Sequence, residues 1–143
     1  MGAFEILDNI SGYHEYDLSG TGKLRFVSDS LCRMTGYSKN ELTDSEYGYT
    51  GLLCEDDRDI YLSFLRRMMS GDEGDYSEKY HIKKKDGNII FVKDSVNVKR
   101  EKDGKLIGYS VVVDITDTYD DMQHTVLNSD FTCADKSIVS NNN

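Results

Sequence analysis

The sequence predicts an α+β domain in which five strands form one antiparallel sheet with helices on a single face. Three observations carry this expectation. Two Lys-Asp-Gly turns, Lys85-Asp86-Gly87 and Lys102-Asp103-Gly104, separate runs rich in β-branched residues. Asp-Gly between such runs signals a hairpin, because Gly takes positive φ without steric cost and Asp tolerates it. Upstream, Ser19-Gly20-Thr21-Gly22 joins two shorter strand-like runs. Between the two strand groups lies one amphipathic helix with a wide apolar stripe.

The elements follow in order. Phe4, Ile6, Leu7 and Ile10 give residues 1–11 one apolar face, as a short cap helix. Gly12–Leu18 and Lys23–Val27 form the first hairpin. Ser28-Asp29-Ser30 offers an N-cap to a short helix that turns Leu31, Cys32 and Met34 inward, and Gly36 suits its left-handed C-terminus. Ser38 with Glu41 three residues on makes a capping-box pattern for a second short helix. Asp56–Met69 is the clearest helix, its stripe built from Ile60, Tyr61, Phe64, Leu65, Met68 and Met69. The acidic Glu55-Asp56-Asp57 and the basic Arg66-Arg67 complement the two ends of its dipole. Tyr76–Lys84, Asn88–Arg100 and Leu106–Thr116 are three long strands in a meander.

Composition limits the function. At 143 residues the chain fits one domain. Hydrophobic residues make up 38% and charged residues 30%, as expected of a soluble globular domain. No apolar run approaches the roughly 20 residues of a membrane span, and no basic-headed apolar leader opens the sequence, so a cytoplasmic location is expected. A net charge of −9 opposes a nucleic-acid surface or an anionic membrane surface. Cys32, Cys54 and Cys133 match no zinc spacing and read as thiols in a reducing compartment.

Several motifs, in their joint order, carry a family resemblance. Tyr16-Asp17-Leu18, Phe26 through Cys32 and Thr35 through Leu42 come first. Leu52-Leu53-Cys54-Glu55-Asp56-Asp57 leads into the long helix, and Lys79-Tyr80-His81-Ile82, Lys85-Asp86-Gly87, Phe91-Val92 and Gly108 through Thr116 follow. From about residue 5 to 117 the chain resembles a PAS domain, the sensory module of bacterial histidine kinases, diguanylate cyclases and chemoreceptors. The departures are Cys54 where the family often has Pro, His81 where many members carry Arg, and Phe91 where many carry Trp.

The resemblance implies the sheet order 2-1-5-4-3. Together with the apolar start and the polar, aperiodic end, it divides the chain into the 1–11 cap, a sensory domain at 12–117, a signalling helix or linker at 118–127 and a polar tail at 128–143. It also lets cofactors be tested residue by residue. The cysteine of flavin-adduct photosensors would fall near Gly48, and the haem-ligating His of the long helix has no counterpart in Asp57–Ser70. Neither the flavin–thiol adduct nor haem ligation is supported, and no cofactor is identified.

Candidate ligand contacts come from the pleat. Ile90, Val92, Asp94, Val96 and Val98 share one face of the middle long strand, which should meet the helix. That leaves Asp94 among apolar neighbours, where a carboxylate needs a partner or a ligand donor; the other reading puts it at an open edge, in water or beside a Lys. Glu78, Tyr80 and Ile82 face the same way from the preceding strand. Ser110 and Val112 do so from the last one, following the family's placement of a ligand-contacting polar residue. The ligand-site candidates are therefore Tyr80, Ile82, Val92, Asp94, Ser110 and Val112. His81 is expected outside, solvated beside Lys79 and Lys83, and His14 is left undecided between pocket and surface.

The outer face of the last strand, Tyr109, Val111, Val113 and Ile115, is too apolar for water and needs a cover from the N-terminal segment or a second copy. Tyr119, Met122 and Val126 begin a heptad seam. In the family, Asp114-Ile115-Thr116 hands over to a helix that pairs with its twin, so these three are the candidate signal relay. The functional expectation is a sensory domain that binds a small molecule or partner, forms a homodimer and controls an output domain. Two alternatives stand beside it. One is a small α+β enzyme using Asp94 with His14; the other is a dimerisation module with a filled core.

Overall fold

The computed structural model describes residues 10–44 and 48–117. Residues 1–9 of the expected 1–11 cap helix, the heptad seam and the polar tail fall outside those residues, and Ser11, assigned to the cap, instead opens the first strand. Strand β1 is Ser11–Asp17 and β2 is Leu24–Val27. Helices α1 (Asp29–Thr35) and α2 (Lys39–Thr43) follow. Two 3₁₀ turns, Tyr49–Leu52 and Glu55–Asp57, lead into α3 (Arg58–Met68), and the meander is β3 (Gly74–Lys83), β4 (Ile89–Arg100) and β5 (Leu106–Asp114). All pairings are antiparallel and the order is β2-β1-β5-β4-β3, as the sequence predicts.

Local signals explain the element ends. Ser28 Oγ accepts from Leu31 N and starts α1, and Gly36 at φ 83° ends it by donating to Cys32 O. Ser38 and Glu41 close the expected capping box on α2. In the long hairpins Asp86 Oδ1 accepts from Asn88 N at 2.9 Å, and Asp103 Oδ1 from Lys105 N at 3.0 Å. These Asx bonds, followed by glycines in the left-handed region, set the register of the meander.

The core lies between the helices and the sheet. From α3 it receives Tyr61, Phe64, Leu65 and Met68. Ile60, expected in that stripe, is instead exposed. The α-helix also starts at Arg58 rather than Asp56, behind a 3₁₀ turn, and Asp57 makes no cap bond because its carboxylate is used elsewhere. Gly108 on β5 allows the sheet to pack tightly: a Cβ there would sit 2.8 Å from Val96 Cγ1 and 3.3 Å from the Tyr16 ring. Cys32 is a half-buried free thiol, and Cys54 is buried at the entry to α3.

Candidate functional site: a buried carboxylate fed by three donor chains

The hairpin registers assemble the site. Asp94 occupies the middle of β4, directly opposite Glu78 on β3 and Val112 on β5. Its diagonal neighbours are Tyr80, paired with Val92, and Ser110, paired with Val96. One strand further, β1 places His14 opposite Ser110. Tyr80, Ile82, Val92, Asp94, Ser110 and Val112 are all wholly buried on the helix-covered face. Asp94 is thus in the interior and not at an open edge.

Its hydrogen bonds form three converging chains. Tyr16 Oη donates to Asp94 Oδ2 at 2.7 Å and itself accepts from Tyr61 Oη at 3.1 Å. Tyr80 Oη donates to the same oxygen at 2.8 Å and lies 2.8 Å from Tyr49 Oη. Because the single hydroxyl hydrogen of Tyr80 is spent on Asp94, Tyr49 must be the donor to Tyr80. On the other oxygen, Ser110 Oγ donates to Asp94 Oδ1, and His14 Nε2 stands 3.1 Å from Ser110 Oγ. The serine hydrogen is likewise committed, so His14 donates from Nε2, which makes Nδ1 the bare nitrogen. Every hydrogen in the cluster points toward Asp94. Such an arrangement suits an acceptor-only carboxylate in a medium where an unpaired charge would be costly.

The electrostatics agree with this layout. Burial, reinforced by the Asp94 charge, pushes the phenols of Tyr16, Tyr49 and Tyr80 well above the usual tyrosine range. Burial also raises Tyr61. For His14 burial lowers the pKa, and the Asp94 carboxylate at 3.8 Å opposes that only in part. Glu78, expected to face inward, turns its carboxylate to Arg67 Nη2 at 2.9 Å. Two carboxylates directly opposed across a ladder would repel, and the arginine draws one of them away.

Sequence reasoning missed Tyr16, Tyr49 and Tyr61 and left His14 undecided. A signal existed for two of these. His14 and Tyr16 share the pleat face of β1 with Gly12, the face that continues the Ser110 row. His81 requires a correction. It is 8% exposed rather than solvated, with Nδ1 and the backbone N each 2.6 Å from Asp57 Oδ2 and its ring 4.3 Å from that of Phe91. The pleat argument failed because β3 is not a bare edge. Leu53 bridges to Ile82, and Cys54 N donates to His81 O, so the segment before α3 covers it.

The chemistry open to this cluster is that of polar recognition or proton binding. Asp94 and His14, the named acid/base pair, do lie together, but Ser110 gives its hydrogen to the carboxylate rather than to the imidazole. A serine nucleophile needs the opposite arrangement. Near the end of β5, Thr116 N and Oγ1 both donate to Asp114 Oδ1, and Phe91 N donates to Thr116 Oγ1 at 2.8 Å. Ile115 N donates to Phe91 O at 2.8 Å. The candidate relay residues are therefore clamped to the start of β4, the strand that carries Asp94. No group of side chains suited to a metal ion occurs among the described residues.

The family model for the PAS fold matches residues 24–113. Among solved structures, a sensory-box histidine kinase/response regulator from Burkholderia thailandensis is 19% identical with a TM-score of 0.62, covering 90% of this chain and 95% of its own. The N-terminal domain of a diguanylate cyclase with a PAS/PAC sensor from Marinobacter aquaeolei is 14% identical with a TM-score of 0.64, covering 76% and 98%. A PAS domain of a two-component sensor histidine kinase is 16% identical with a TM-score of 0.55, covering 78% and 90%. No curated protein matches the sequence. With the family model spanning the sheet from β2 to β5 and the helices between them, the chain belongs to the PAS family and carries a sensory domain of the kind found in signalling proteins.

Proposed function

We propose that this PAS domain is the input module of a multidomain signalling protein and that it senses a small polar or cationic molecule at the Asp94–Ser110 centre. One observation carries the reading: a wholly buried carboxylate in the middle of the sheet, with polar groups from β1, β3, β5, α3 and the Tyr49 turn converging on it. Burying a charge costs several kcal/mol, and exchange of the chain's own hydroxyls for a ligand's donors would keep that charge paired. Tyr80, Ile82, Val92 and Val112 would form the walls. A change in the pull on Asp94 would travel along β4 to Phe91 and so to Asp114, Ile115 and Thr116. A ligand can shift that junction only by its differential affinity for two states.

Self-association belongs to the same proposal. On the outer face Tyr13 of β1 pairs with Val111 of β5 and touches the ring of Phe26, its diagonal neighbour on β2, and Phe26 and Val111 are each 46% exposed. A homodimer or the N-terminal segment would cover them. No helix among the described residues is long and apolar enough to cross a membrane. A cytoplasmic setting is part of the proposal.

The test is extraction of the purified domain followed by mass spectrometry, together with a thermal-shift screen of small amines and polar metabolites on the wild type and Asp94→Asn. A retained or stabilising compound whose effect Asp94→Asn abolishes supports the proposal. A compound that stabilises both proteins equally overturns this site. A second reading rests on the fact that the chain's own hydroxyls already occupy both carboxylate oxygens. Under it the cluster is a fixed interior strut of a ligand-free dimerisation module, and the screen finds nothing.

A further inference from the structure

His14 is the one member of the cluster with an unspent hydrogen-bonding atom. Its side chain is wholly buried, and Nδ1 has no hydrogen-bond partner. Nε2 serves Ser110 Oγ at 3.1 Å. The ring is boxed by the edge of Tyr16 on its own strand, centroids 4.6 Å apart, and by Tyr49 at 5.1 Å. Behind Ser110 of β5 stands Asp94 of β4. Of these facing groups only Asp94 carries charge, and it faces Nε2, 3.8 Å away. A proton arriving on Nδ1 would therefore create an imidazolium whose new N–H has no acceptor inside the core. Neutral His14 suits the site; charged His14 does not.

We propose that His14 is a proton-responsive latch, holding β1 to β5 while neutral and leaving the core when Nδ1 takes up a proton from solvent. Its position gives the release a direction. β1 is the strand between the β2 hairpin and β5, and its first residue, Ser11, pairs with Val113 beside the Asp114–Thr116 junction. Loosening His14 removes the outer donor of the chain through which Ser110 holds Asp94. The latch requires only the geometry of the cluster and holds whether or not a small molecule binds.

The sign follows from linkage. The folded imidazole titrates below the ordinary histidine value of 6.5, because burial disfavours its charge more than Asp94 favours it. The unfolded chain then binds the extra proton first, so stability is full above pH 6.5 and declines as pH falls toward the folded value. In that window one proton separates the two states, which lowers the folding equilibrium constant roughly tenfold per pH unit.

The experiment is equilibrium unfolding of the wild type, His14→Gln, His81→Gln and His124→Gln between pH 8 and 5. Histidine ring shifts of the wild type are followed by NMR over the same range. His14→Gln keeps a donor toward Ser110 and should flatten the slope below pH 6.5; the other two variants should keep it. The wild-type His14 ring should stay neutral at pH values where a free imidazole is half charged, and amide exchange should accelerate in β1 before β3 as pH falls. The latch is overturned if His14→Gln retains the wild-type slope, or if the ring titrates at 6.5 or above. Equal acceleration of exchange in β1 and β3 also overturns it. Should His14→Gln fail to fold, the ring shifts and the exchange pattern decide alone.

Discussion

Each face of this sheet carries a charged hydrogen-bond network, and strands β1 and β5 contribute to both. On the inner face, Tyr16, Tyr80 and Ser110 converge on Asp94 with no water-exposed member. On the outer face, Arg25 of β2 forks onto Glu101 at 2.9 and 3.1 Å and reaches Glu15 at 2.9 Å. Tyr109 Oη donates to Glu101 at 2.6 Å and Tyr13 Oη to Glu15 at 2.8 Å. The contacts of the outer cluster, 2.6–3.1 Å, are much the same length as those inside. Physically that cluster is the weaker, because water competes for each of its charges and salt screens them. The inner cluster has no such competitor, so removing one member strands the rest.

Breaking the inner network should therefore have the largest effect. Asp94→Ala leaves the Tyr16, Tyr80 and Ser110 hydroxyls without their acceptor in a dry interior; each stranded buried donor costs about 1–3 kcal/mol, so a loss of about 3 kcal/mol or more of unfolding free energy is expected. Urea unfolding followed by circular dichroism measures it. A loss below about 1 kcal/mol would mean that water reaches Asp94 and that the contrast between the two faces does not exist.

The Asp57–His81 pair sharpens the comparison because it sits at the rim, with side chains about one-tenth exposed. Asp57→Ala removes the acceptor of both the His81 backbone N–H and its Nδ1. The expected cost is about 1–3 kcal/mol, below that of Asp94, with faster exchange of the β3 amides near His81. A cost as large as that of Asp94→Ala would place the anchor of the fold at the rim rather than in the centre.

Tyr80→Phe comes next. It deletes one donor to Asp94, which keeps Tyr16 and Ser110, but it leaves the Tyr49 hydroxyl without its acceptor. About 1–2 kcal/mol should be lost, and the double variant with Tyr49→Phe should recover part of it. Strict additivity of the two substitutions would show that the chains do not act as chains.

These contrasts also mark what the sequence could reveal. The alternation around Asp94 and the two Asp-Gly turns make the carboxylate's face legible, since a two-residue period and a fixed register leave its side chain no other; that this face is closed over Asp94 rather than open at an edge is decided by the structure. The tyrosines that satisfy it were harder to find. Tyr49 comes from a 3₁₀ turn and Tyr61 from a helix, so no strand register ties them to β4. His81 was misplaced for a related reason: the period assigns a face, but only the path of residues 53–57 decides whether that face is covered. Likewise the helix dipole pattern marks the acidic start of α3 yet cannot tell that Asp57 serves a neighbouring strand instead of its own helix.

The smallest effect is expected from the outer cluster, and its dependence on conditions separates it from the inner one. Arg25 and Glu101 are about one-third exposed at their side chains. The Arg25 guanidinium, and then the Tyr109 hydroxyl, hold the Glu101 carboxyl down at about 2. With a folded value below the ordinary 4.5, this carboxylate favours the folded state above pH 4.5 and stops doing so as pH falls toward 2. Arg25→Met keeps the aliphatic stem on the sheet and removes the charge, so its unfolding midpoint at neutral pH should shift far less than that of any inner variant. Raising the ionic strength should erase most of the remaining difference from wild type, because exposed pairs are screened, while the Asp94→Ala deficit should persist. An Arg25→Met deficit that is large and indifferent to salt would show that the outer cluster is already covered in solution, as it would be beneath a second copy of the chain.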